Sequence, residues 1–143
     1  MTTETLRLLE RIHGHLGWLV AAALIHPAII LRRPKRRARL AVLLSATLAT
    51  LAGGLGAFIY PSYSRMLRRA MYVASFRHGL LFERKEHLAF AAILLAWAGC
   101  FLHLSARDSE TRARAAHLAF VAAAVMTLAV ATLGTLIAAF RSF

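Results

Sequence analysis

The chain has one cysteine, three prolines and six carboxylates. Cys100 alone cannot form an intramolecular disulfide; within an apolar run it reads as a small buried hydrophobe. No Cys/His zinc spacing, phosphate-binding loop or serine-nucleophile motif is present, which excludes the common hydrolase designs. No low-complexity linker and no internal repeat divides the 143 residues, so they make one domain. A clean positive leader is missing as well. Glu4, Arg7, Glu10 and Arg11 precede the first apolar run, and that run continues past Ala21–Ala23 to Arg32. It reads as a retained anchor rather than a cleaved signal.

What is abundant is apolar surface. Hydrophobic residues make up 59% of the chain, against about 45–50% in a soluble domain. A soluble protein this short keeps much of its surface exposed and has too small a core for so many apolar side chains. A bilayer removes the difficulty. The net charge of +12 comes from 18 Lys and Arg that cluster between long uncharged runs, at headgroup positions. That distribution argues against nucleic acid as a partner.

Four uncharged runs stand out, at 12–31, 40–64, 87–106 and 115–140. About 20 helical residues cross a hydrocarbon core of roughly 30 Å. Backbone groups in lipid must be satisfied within each segment, and the runs do not alternate as barrel strands would. The expected fold is an all-α integral membrane protein, an up-down bundle of four transmembrane helices over about 12–31, 40–60, 87–106 and 115–140. The connections 32–39, with Pro34 amid six bases, and 107–114 are short, making helices 1 and 2, and 3 and 4, antiparallel neighbours. The second connection, 61–86, interleaves Met66, Leu67, Met71, Val73, Phe76, Leu80 and Phe82 with Arg65, Arg68, Arg69, Arg77, Arg84 and Lys85. This pattern predicts an amphipathic helix lying on the membrane surface between helices 2 and 3, with Tyr60, Tyr63 and Tyr72 at headgroup level. Glu83 and Glu86 beside Arg84 and Lys85 read as a solvated helix start. The short loops carry nine Lys or Arg and the opposite side carries nine, so the counts do not set the orientation. The density of bases in 32–39 places that loop on the cytoplasmic side, in a bacterial inner membrane.

The remaining signal is seven histidines. In an up-down bundle His13, His15, His78 and His87 fall in one layer, and His26, His103 and His117 in another. Polar side chains within a span cost free energy and call for a reason. Paired imidazoles from facing helices are the usual axial ligands of a b-type haem, and bundle cores are where such sites are built. His15 and His26 are eleven residues apart, about three turns, so they share a face of helix 1. His87 and His103 are sixteen apart and fall on nearly opposite faces of helix 3. The candidate pairs are therefore His15 with His87, and His26 with His117, with His13 and His103 as substitutes. The haem iron would be held through these histidines. Gly14, Gly17, Gly53, Gly54 and Gly56 admit either a porphyrin edge or close helix packing, and packing is preferred for the glycines alone. Pro27 withdraws the donor to the Ala23 carbonyl and should kink helix 1 beside His26. Arg65, Arg68 and Arg69 suit haem propionates or anionic lipid, with lipid preferred. Trp18 and Trp97 read as packing residues.

Through His15, His26, His87 and His117 the chain resembles the small four-helix membrane b-type cytochromes. The resemblance implies one or two haem b groups and electron transfer across or into the membrane, often with quinone and other redox subunits. Glu86 would then be placed to relay protons near a quinone. His103 departs from the arrangement in which two helices supply two ligands each. Two other readings stand beside this one. The first is a cofactor-free structural or assembly subunit of a membrane complex. The second is a small transporter, which would have to conduct without any Asp, Glu, Lys or Arg in its spans. The oligomeric state is left open.

Overall fold

The computed structural model describes residues 3–33, 38–106 and 109–139. Four helices account for nearly all of them: α1 (Thr3–Ile30), α2 (Arg39–Ala74), α3 (Phe76–Leu104) and α4 (Glu110–Ala139), with no strand among the described residues. Each contains a stretch long and apolar enough to cross a membrane: Glu4–Ile30, Arg39–Arg65, Gly79–Leu104 and Glu110–Ala139. The order of contacts is a ring, α1 against α2, α2 against α3, α3 against α4 and α4 against α1. Helices 1 and 3 are therefore diagonal.

The ring closes on small side chains. Leu24 from α1, Val42 and Ala46 from α2, Ala96 and Cys100 from α3, and Ala116, Phe120 and Ala123 from α4 are buried. Small residues let helix backbones approach, which matters in lipid because expulsion of water no longer drives association there. Gly99 shows how close the approach is, since a Cβ on it would stand 2.9 Å from the Phe120 ring and 3.2 Å from Ala119 Cβ. The large apolar residues point the other way. Leu19, Ile29, Leu44, Phe58, Phe90, Phe101 and Leu118 are exposed on the outside, an apolar exterior suited to lipid and compatible with an integral membrane protein.

Polar side chains link neighbouring helices. Trp97 Nε1 donates to Thr50 Oγ1 at 2.8 Å, joining α3 to α2, and Trp18 Nε1 donates to Thr135 Oγ1 at 3.2 Å, joining α1 to α4. In both, the threonine hydroxyl gives its proton to its own helix, to the Ala46 and Ala131 carbonyls, and keeps lone pairs for the indole. The tryptophans are thus packing residues with a directed bond. Between α1 and α2, Ser45 Oγ lies 2.7 Å from the Ala23 carbonyl, the group that Pro27 leaves without a donor. Ser109 caps α4, accepting from the Arg112 N–H at 3.4 Å.

The connection between spans 2 and 3 is helical, but it is not a separate surface helix. α2 runs through Pro61 to Ala74, 36 residues, about 54 Å and well beyond a hydrocarbon core. A single extended residue, Ser75, reverses the chain into α3. The Ser75 N–H donates to the Met71 carbonyl and the Ser75 carbonyl accepts from Gly79. The product is an antiparallel hairpin that prolongs two bundle helices. Phe82 turns inward, stacking on Tyr63 at 5.5 Å and on Tyr60 at 6.4 Å between ring centroids, while Val73 and Phe76 at the tip stay exposed. Met71 and Phe82 share a buried cluster with Ile137 of α4, which ties the hairpin to the bundle. Glu83 pairs across the hairpin with Arg68 rather than with its sequence neighbours.

Candidate functional site

The rotation of each helix about its axis decides where its imidazoles go. On α1 the buried positions are Leu6, Val20, Ala21, Leu24, Pro27 and Ala28, a stripe at helical three-, four- and seven-residue multiples facing the core. His13 lies on that stripe, half-buried. Its ring sits against Gly56, where a Cβ would come 2.9 Å from His13 Cε1, and it hydrogen-bonds the Ala52 carbonyl of α2. His13 Nδ1 is buried with no partner among the described residues. The glycine at 56 thus admits an imidazole, and that at 53 the Ile93 side chain, so both serve helix packing.

His15 is two residues on, about 200° around the helix, and exposed. Its Nδ1 bonds the Arg11 carbonyl of its own turn at 2.7 Å. His87 repeats the arrangement on α3, exposed, with Nδ1 3.0 Å from the Glu83 carbonyl. These two residues lie on diagonal helices and face outward, so the structure does not bring them together across the core. His26 lines a groove between α1 and α2, whereas His117 lines another between α1 and α4. They occupy the two flanks of α1 and do not face one another. His103 has a different task, accepting the Ala38 N–H at 3.4 Å where α2 begins without a side-chain cap of its own. That contact needs its Nε2 unprotonated.

The structure brings neither candidate pair of imidazoles, His15 with His87 or His26 with His117, face to face inside the bundle. The interior is filled by the side chains of Leu24, Val42, Cys100 and Phe120.

The residues that do converge are others. At the base of the hairpin, Lys85 places Nζ 5.9 Å from the Phe82 ring centroid and 6.0 Å from that of Tyr63. The Glu86 and Glu10 carboxylates interact with the same ammonium, His13 is within electrostatic reach of it, and Tyr60 hydrogen-bonds Glu86. Three helices thus supply one polar cluster. Lys85 is not the freely solvated base expected from its neighbours: it is partly buried, three residues beyond Phe82 and seven before Ala92 on the buried stripe of α3. That spacing was the available signal. Further out, desolvation first and the Glu83 carboxylate next push the Tyr72 phenol above the usual tyrosine range. Chemically the cluster is a cation cradled by two rings and two carboxylates, an arrangement that fixes one helix register against another.

Comparison with protein-family models, with curated proteins and with solved structures found no match to this chain.

Proposed function

We propose that the chain is a structural or assembly subunit of a larger membrane complex, seated in a bacterial inner membrane with the α1–α2 loop on the cytoplasmic side. The observation that carries this reading is the division of chemistry between the inside and the outside of the bundle. The inside is filled by apolar side chains, with the His13 imidazole packed between α1 and α2 against Gly56. The outside presents the imidazoles of His15 and His87, each with Nδ1 engaged on its own helix and Nε2 without a partner among the described residues. In lipid, association rests on close packing and interhelical hydrogen bonds, and these two groups offer such bonds to a neighbouring chain. The test is extraction of the natively expressed chain in mild detergent, followed by a native gel. The chain should migrate in an assembly larger than itself, and the double variant His15→Ala/His87→Ala should release it with helicity unchanged. Migration as a single chain before any substitution would overturn the reading.

One observation favours a second reading, a redox subunit. A histidine whose Nδ1 is tied to a carbonyl presents Nε2 as a fixed metal ligand. His15 or His87 would then hold a haem b at the junction with a partner, and that group would supply one-electron transfer to quinone or to other redox subunits. This reading expects a haem spectrum from the assembly and none from the separated chain.

A further inference from the structure

Both grooves along α1 are built alike. The larger, between α1 and α2, holds about 760 Å3. Ala23, Ile30, Ala41, Leu44 and Leu48 form its wall, which runs about 12 Å along α2 from Leu40 to Leu48. Its polar groups are few: Ser45, whose hydroxyl is turned to the Ala23 carbonyl, His26, and Arg39 at the end nearest the short loops. The smaller groove, about 380 Å3 between α1 and α4, again sets an imidazole and an arginine, His117 and Arg32, beside an apolar wall. Each groove is therefore apolar along its depth and cationic at one end, and in both the cationic end lies toward the short loops.

We propose that the α1–α2 groove is a binding site for one anionic phospholipid, its phosphate at Arg39 and His26 and an acyl chain along Ala41, Leu44 and Leu48. The charge pattern selects this occupant. Arg32, Arg33 and Arg39 crowd that end of the bundle, and its one described carboxylate, Glu110, is paired with Arg114 on its own helix. Among the described residues, the groove thus offers an unneutralised cation to an anionic head. The direction agrees too, since head at the loop end and chain toward the midplane is how a bilayer lipid lies. An apolar helix from a second copy would fill the wall and leave Arg39 without a counter-charge.

The test is native mass spectrometry of the detergent-purified full chain, incubated with phosphatidylglycerol and phosphatidylcholine of the same acyl chains. The chain should retain phosphatidylglycerol in preference. Arg39→Gln should lower that retention about fivefold, as expected for one base beside an anionic headgroup. Leu44→Trp, which fills the groove from an exposed position, should lower retention of both lipids, whereas Arg114→Gln should lower neither. Far-ultraviolet circular dichroism checks that each variant stays helical. Equal retention of the two lipids, or an equal loss in Arg114→Gln, overturns the proposal. A dimer abolished by Leu44→Trp also overturns it and gives the groove to a second copy.

Discussion

Replacing Ser45 by alanine should cost more than a membrane hydrogen bond usually does, and the excess should vanish when Pro27 is replaced too. Pro27 has no N–H, so the Ala23 carbonyl loses its intrahelical donor inside an apolar span. Ser45 Oγ stands 2.7 Å from that carbonyl and 2.7 Å from the Ala41 carbonyl of its own helix. A hydroxyl has one proton to give. The Ala41 carbonyl already receives the Ser45 N–H of the helix ladder, whereas the Ala23 carbonyl has no other donor among the described residues, so the proton stabilises α1–α2 packing most at Ala23. Interhelical bonds in membranes average about 0.6 kcal/mol and reach about 1.7. An otherwise orphaned acceptor belongs in the upper part of that range, so Ser45→Ala should cost about 1–1.5 kcal/mol. In a Pro27→Ala background the backbone N–H restored at position 27 serves the Ala23 carbonyl, and the same substitution should cost about 0.5 kcal/mol or less. Pro27 is buried, so its replacement has a packing cost of its own, which a double-mutant cycle subtracts. Reversible unfolding of the four proteins in mixed micelles, followed by helicity, measures the coupling. A coupling near zero would mean that Ser45 serves only its own helix, and the reasoning would fail.

Further outcomes follow from the same accounting. Thr50→Val removes the acceptor of Trp97 and should destabilise the bundle by about 0.5–1 kcal/mol, with a shift in Trp97 fluorescence measured in a Trp18→Phe background; an unmoved emission would count against the bond. Phe82→Ala empties the hairpin cluster and should cost about 3–5 kcal/mol, seen as faster tryptic cleavage at Arg65, Arg68 and Arg84 while the spans stay protected. Gly99→Leu forces a side chain against Phe120 and should cost about 1–3 kcal/mol, whereas Gly54→Leu, which meets nothing within 4 Å, should be near neutral by the same unfolding assay.

The four spans were legible because charge is excluded from them, a pattern that no rotation of a helix alters. The hairpin was not, because apolar and Arg residues alternate in 61–86 as they would on a surface helix. Phe82, Tyr60 and Tyr63 bury one another instead of meeting lipid, and that pairing depends on residues about twenty positions apart. For the histidines, depth along the axis was readable but facing was not. The two-residue step from His13 to His15 turns one imidazole inward and the other out, and only the buried stripe of Leu6, Val20 and Leu24 says which. The orphan Ala23 carbonyl was legible from Pro27; its donor, Ser45, lies on the next helix and was not.

The proposed subunit presents the His15 and His87 imidazoles outward to a neighbouring chain, so that any haem would be held at that junction and not within the lone chain. A reduced-minus-oxidised visible spectrum of the monodisperse single chain, purified after expression with ample haem, tests it most directly. No b-type α-band is expected from the chain by itself. A clear band with a stoichiometry of one haem or more per monomeric chain would contradict it.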